Sequence, residues 1–254
     1  MSDTKTFTIA ETYKLPSGGL IYEKPVAENI TLKSMTARHE MQRLNATNMP
    51  LKTLADIIED CMIDKPATHV YDLAVGDYEF LLHKLRIVTY GSGYKVNLIC
   101  PYCEESIEAI AQLDDLEVKP FNREEFETLR TITLPSCGKT VTLKVQTPRM
   151  LDNLETKTKE LKKKAPDAKI HFETFAQLLL AIDTVDDQKL NSVELEFFIN
   201  DLSARDLNKL MNTIDKLNNY IGLNNRFIIP CPSCGEPVST FFRFGPEFFR
   251  PTTD

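Results

Sequence analysis

Ile99-Cys100-Pro101-Tyr102-Cys103-Glu104 and Pro230-Cys231-Pro232-Ser233-Cys234-Gly235 decide how this chain is read. Each places two thiols with two residues between them, behind a β-like run (94–99; 226–229) and ahead of another (106–113; 237–244). Two thiolates across one tight turn can grip one tetrahedral cation. A second such turn completes a four-sulfur shell at about 2.3 Å per Zn–S bond. A single Cys-x-x-Cys carries little weight, but two of them, each with Pro after the first Cys and each between apolar strands, predict a zinc ribbon. A disulfide pair would need an oxidising compartment, and Met1-Ser2-Asp3-Thr4-Lys5 offers no apolar export segment. A redox dithiol usually opens a helix in a βαβ unit, whereas these turns lie between strands. Zn2+ on Cys100, Cys103, Cys231 and Cys234 is therefore the expected cofactor. Its expected role is structural, because four sulfurs leave no open position for water or substrate.

Working outward, the 254 residues suffice for one large domain or two modest ones. No apolar run approaches the roughly 20 residues of a membrane span. A net charge of −7 disfavours a sequence-independent grip on phosphate backbones. Fourteen Phe and eight Tyr with no Trp point to packing and docking surfaces.

Residues 1–34 read as extended and turn-rich, with a short strand at 29–33. Pro16-Ser17-Gly18-Gly19 lacks the Gly-Lys-Ser/Thr ending of a phosphate loop and reads as a tight turn. Thr36 is the expected N-cap of a helix. Leu51, Leu54, Ile57, Ile58, Cys61 and Met62 share one helical face, which makes Cys61 a small buried apolar residue. A further helix at 77–87 turns Phe80, Leu81, Leu82 and Leu85 to a core, with His83 and Arg86 expected at solvated or interface positions.

Beyond the first knuckle, 131–134 and 140–145 flank Pro135-Ser136-Cys137-Gly138-Lys139 and read as a hairpin, with Cys137 a free thiol. From 148 to 222 the character is helical. Lys162-Lys163-Lys164 reads as a solvated helix end. The stretch from Asp183 to Glu194 matches a calcium loop at positions one, five and twelve. It has Val185 at position three and Gln188 where glycine is required, so a polar inter-helix loop is expected. Residues 241–251 then hold five of the fourteen phenylalanines: Phe241, Phe242, Phe244, Phe248 and Phe249. So many rings must cover the ribbon's own core or dock on a neighbouring subunit, since exposed apolar area costs roughly 25 cal/mol per Å².

The expected fold class is α+β, a zinc-ribbon β platform with a large helical insertion. Residues 1–90 would form a mostly helical N-terminal part, and 91–147 with 223–254 a discontinuous ribbon domain that includes the 131–145 hairpin. Residues 148–222 would be the insertion.

The ordered set Leu15-Pro16-Ser17-Gly18-Gly19, Thr36-Ala37-Arg38-His39-Glu40, Leu73-Ala74-Val75-Gly76-Asp77-Tyr78-Glu79-Phe80-Leu81-Leu82 and Arg86-Ile87-Val88-Thr89-Tyr90-Gly91, followed by the two knuckles and Phe248-Phe249-Arg250-Pro251, resembles the baseplate hub and hub-assembly proteins of T-even-type contractile-tailed bacteriophages. That resemblance covers most of the chain. It implies a non-enzymatic protein of the virion tail baseplate, present in the host cytoplasm during assembly. Its partners would be other baseplate and tail proteins in a multi-subunit symmetric assembly, with no nucleic acid and no membrane. The knuckle cysteines carry over as zinc ligands only, and no catalytic residue carries over.

The competing reading is a nucleic-acid-binding zinc-ribbon regulator. It lacks the basic stripe such domains use, having only Arg226, Arg243 and Arg250 near the second knuckle. An enzyme fits least, because His39, His69, His83 and His171 fall in no catalytic motif.

Overall fold

A computed structural model describes residues 9–45, 49–242 and 246–249, and shows mixed helix and sheet. Strands β1 (Ala10–Lys14) and β2 (Asn29–Lys33) pair antiparallel, Ala10 opposite Lys33. Helices α1 (Ala37–Leu44), α2 (Pro50–Cys61) and α3 (Val75–Tyr90) follow. The centre of the first core is α3, whose Phe80, Leu81, Leu82 and Leu85 are buried against Leu32, Ile57, Ile58 and Cys61.

The Pro-Ser-Gly-Gly stretch is the tight turn expected, and its job is to clamp α3. The Ser17 backbone N–H donates to Asp77 Oδ1 at 3.0 Å, the Ser17 hydroxyl donates to Oδ2, and the Tyr22 hydroxyl reaches Oδ2 at 2.6 Å. Burial raises the Asp77 carboxyl above the usual carboxylate range, and those three donors oppose the rise without cancelling it. Gly19 has φ +72°, and a Cβ there would meet the Val26 carbonyl oxygen at 2.2 Å, so the position admits glycine alone.

Glu79, two residues further along α3, has its pKa pushed up to about 7 by burial, against a weaker pull from Lys119. The folded value exceeds the unfolded one, so the chain is steadiest below pH 4 on this account and loses that contribution as pH rises through about 7. Glu79→Gln should therefore flatten the fall in stability between pH 5 and 8. The expected gain at pH 8 is up to about 3 kcal/mol in urea denaturation.

The second core is built on a sheet of order β5–β6–β7, from Thr131–Thr133, Thr140–Leu143 and Ile182–Val185. Around it lie α4 (Arg123–Arg130), α5 (Pro148–Lys164), α6 (Phe172–Ala181), α7 (Ser192–Asn200) and α8 (Ala204–Asn218). Phe126, Leu134, Val141, Leu143, Leu178, Leu210 and Ile214 fill it. The two cores meet backbone to backbone: a Cβ on Gly76 would lie 2.3 Å from the Ile221 carbonyl oxygen, and Lys119 N–H donates to Gly222 O at 2.9 Å.

Two expectations are corrected here. The 131–145 hairpin does not extend the ribbon into a β platform. Its β6 pairs with β7, because Val141 and Leu143 face the helices of the second core. The 183–188 stretch is not wholly loop, since Val185 is buried opposite Val141 and Asp183 and Thr184 take half-buried positions of the same strand.

The ribbon is two separate antiparallel hairpins. Strands β3 (Gly93–Ile99) and β4 (Ser106–Gln112) make one, and β8 (Arg226–Pro230) and β9 (Pro237–Phe241) make the other. After β9 the chain turns back onto the first core. Phe242 there is 6 % exposed, and Phe248 and Phe249 are each 1 %. The Phe242 and Phe248 rings lie 5.0 Å apart, edge to face, and Phe248 meets Phe249 at 5.2 Å. These three rings were expected on the ribbon's own core or on a partner. They are internal packing of the N-terminal core instead, because rings of this size bury most area where a core is already deep.

Arg86, expected at a solvated or interface position, is wholly buried beneath them. Its Nε donates to Phe248 O at 3.0 Å, Nη1 to Gly91 O at 2.6 Å and Nη2 to Gly93 O at 3.0 Å. The guanidinium also lies 5.3 Å from the Tyr94 ring centre and 5.8 Å from that of Phe248. His83 is likewise buried, its ring stacked 6.4 Å from Phe248. Among the described residues no helix is long and apolar enough to cross a membrane.

Candidate metal centre

Each hairpin ends in the same turn. Cys100 N–H donates to Glu105 O and Glu104 N–H to Cys100 O, both at 2.9 Å. Cys231 N–H to Glu236 O and Gly235 N–H to Cys231 O repeat the pattern at 2.9 Å. The residue after the second cysteine is left-handed in both, Glu104 at φ 61° and Gly235 at φ 77°. The second knuckle meets that demand with glycine, whereas the first carries a side chain against the preference of L-residues. Glu104→Gly should therefore raise the melting temperature of the ribbon, by about 1 kcal/mol of stability, whereas Gly235→Ala should lower it by a similar amount.

The turns meet tip to tip. Cys100 Sγ lies 3.7 Å from Cys234 Sγ and Cys103 Sγ lies 3.6 Å from Cys231 Sγ, and all four sulfurs fall within 4.8 Å of one another. A disulfide would bring a pair to about 2.05 Å. A tetrahedron with 2.3 Å metal–sulfur bonds has edges of about 3.8 Å, so the spacing fits a shared cation. Cys100 and Cys231, the first cysteine of each turn, are buried, while Cys103 and Cys234 face outward. Leu98, Ile107, Ile229 and Val238 line the inner side.

The electrostatics of the bare thiols point the same way. Backbone N–H groups of Cys234 and Ser233 pull the Cys231 thiol down to about 7. Cys103 has a helpful N–H from Glu105, yet burial and thiol–thiol bonds push it up to about 12. One thiolate forms readily, and its neighbours then resist ionising beside it. A divalent cation relieves that conflict by offsetting part of the thiolates' negative charge.

Cys137 is exposed at its hairpin turn and Cys61 is buried in the first core, so neither belongs to the centre. Cys61, with its thiol raised to about 11 by burial, is inert packing. Phe241 is 68 % exposed on the ribbon, and Phe244 falls outside the described residues. The remaining histidines take local roles. Nδ1 of His171 accepts from Thr174 N–H at 3.3 Å to cap α6, and Nδ1 of His39 accepts from Thr36 N–H at 3.1 Å. His69 Nδ1 accepts from Tyr71 N–H at 3.1 Å, and its Nε2 lies 3.0 Å from Glu59.

The sequence reading missed the Ser17–Tyr22–Asp77 cluster and the anchoring role of Arg86. An Asp at the first turn of an apolar helix and an Arg amid leucines were the available signals. A cleft of about 590 Å³ opens between the cores, lined by Tyr22, Lys24, Asp72, Arg130, Lys144 and Asp183. Its Asp72 is held by Arg149 at 2.5 and 2.8 Å.

A family model described as T4 bacteriophage base plate protein matches residues 6–250, a span that includes both knuckles. No curated protein and no solved structure matches the chain.

Proposed function

The chain belongs to the T4 bacteriophage base plate protein family, and from that membership we propose that it builds the hub or inner part of the tail baseplate, as a resident subunit or as an assembly factor. Its ribbon holds one structural Zn2+ on Cys100, Cys103, Cys231 and Cys234, and the protein works by docking to neighbouring tail subunits, with no reaction of its own. The observation that carries this reading is a family match whose span, residues 6–250, takes in both halves of a four-sulfur centre. The closed donor set supports a structural ion, since four sulfurs at tetrahedral spacing leave no coordination position for a substrate. Zinc suits such soft thiolate donors without bringing redox chemistry. With Phe242, Phe248 and Phe249 committed to the core, docking falls to what the ribbon exposes, Phe241 included.

The test is sedimentation of extracts from cells in which the phage tail is being assembled. The protein is expected in baseplate or hub fractions with one zinc per chain, and Cys231→Ser is expected to withdraw it from them. A protein that sediments as a free monomer throughout assembly would overturn the baseplate reading.

A further inference from the structure

The ribbon carries an uneven share of this protein's surface character. Among the described residues fifteen large apolar side chains stand exposed. Five of them, Ile99, Tyr102, Ile110, Ile228 and Phe241, lie in the 36 residues of 93–112 and 226–241. Strand alternation explains the four on strands. Leu98, Ile107, Ile229 and Val238 turn inward to the sulfurs, which leaves Ile99, Ile110, Ile228 and Phe241 on the outer faces. A hairpin wetted on its outer side normally puts polar residues there, and apolar side chains gathered on one small element mark a contact surface.

The charge is as uneven. Segments 96–112 and 227–242 hold Glu104, Glu105, Glu108 and Glu236 and no Lys or Arg, which is −4 of the chain's −7. Four thiolates around one divalent cation add −2, from −4 and +2. The basic residues flanking the hairpins in sequence are Lys95, Arg226 and Arg243. Of these, Lys95 lies 3.3 Å from Glu108 and Arg226 donates to Ser239 Oγ at 2.8 Å. At the tip, Glu104, Glu105 and Glu236 make no ion pair among the described residues.

We infer that the ribbon tip docks into a cationic socket on another protein. Tyr102 and Ile99 enter an apolar recess, and lysines and arginines around its rim meet Glu104, Glu105, Glu236 and the metal centre. The inference rests on the baseplate reading and on a metal-loaded centre, and it names the chemistry of the partner. The sign of the field decides between partners. Nucleic acid and an anionic bilayer are both repelled by this tip, and tip-to-tip pairing of two copies would set like charges against each other.

The experiment uses the full-length zinc-loaded protein with a photo-crosslinking phenylalanine analogue in place of Tyr102, made in cells assembling the phage tail. Irradiation is expected to link it to a different polypeptide, at a peptide with more Lys and Arg than Asp and Glu. The combined Glu104→Lys, Glu105→Lys and Glu236→Lys variant should lower that yield about tenfold with zinc retained. The milder triple Gln variant, which keeps side-chain size, should lower it several-fold. Linkage to a second copy of this chain, to nucleic acid, to a neutral or acidic peptide, or to nothing overturns the inference, as does an undiminished yield in both variants. Failure of the baseplate reading looks different, because the unaltered protein would then sediment with no tail protein at all.

Discussion

Arg86→Met should destabilise the protein by about 3–5 kcal/mol. The guanidinium answers three backbone carbonyls, of Phe248, Gly91 and Gly93, and a buried carbonyl left without a donor costs about 1–3 kcal/mol. Three such losses sum to about 3–9 kcal/mol, and because only the bond to Phe248 is fully buried the effect falls in the lower part of that range. Methionine fills similar volume, so little of the effect comes from a cavity. For a chain of this size the loss corresponds to a fall of about 10 °C in Tm. Limited proteolysis should then cut near the Pro246–Phe249 turn, whose last two rings have lost their tether. Arg86→Lys separates charge from geometry: one ammonium cannot span three carbonyls, so it should recover less than half of the stability. A lysine variant that melts with the unaltered protein would show that positive charge alone matters there.

Cys231→Ser should have the larger local effect. Bringing together thiols 128 residues apart in sequence costs about 4 kcal/mol of loop-closure entropy. Structural zinc returns on the order of 10 kcal/mol or more, so the metal decides whether the two hairpins stay joined. With one ligand gone, zinc content should fall from one per chain towards none. Amides of 93–112 and 226–241 should exchange freely, while α3 and the β5–β7 sheet keep their protection. The same loss is expected on acidification, because each ligand must shed its proton to bind. Affinity therefore rises with pH, and a chelator should strip the ion far faster at pH 5 than at pH 8. Cys137→Ser should leave zinc content unchanged. Slow exchange across both hairpins in the zinc-free Cys231→Ser protein would show that the ribbon stands without its ion.

The metal centre was legible in the sequence because its signal is covalent spacing, which survives any uncertainty about long-range packing. The four ribbon strands were legible for a related reason: an apolar run that ends in Cys-Pro can do little but turn back. What the sequence hid was where surfaces meet. Five phenylalanines in eleven residues say that rings must be buried, but nothing local says against what; Phe248 and Phe249 pack near Arg86, 162 residues earlier by the Arg86–Phe248 bond. Arg86 itself reads as a surface residue by type, since arginine is rarely buried unless its donors are met. Its acceptors are backbone atoms, which leave no trace in the amino-acid pattern. Strand β7 was masked by Asp183 and Thr184, the polar middle pair of a four-residue strand whose ends, Ile182 and Val185, are its anchors in the core. The hairpin at 131–143 was seen as a hairpin, but its partner was misassigned because hairpins advertise their turns and not their neighbours.

Both the sulfur cluster and the Arg86 tether join an early segment to one translated much later, at separations of 128 to 162 residues. At 5–20 residues per second, a nascent chain spends roughly 6–26 seconds with Cys100 and Cys103 exposed before their counterparts, 128 residues on, are made. A product of premature termination thus emerges without a closed tip, however well its helices have formed. The fold acts as a proofreader of its own length, withholding a finished ribbon from any chain that was not translated through its second knuckle.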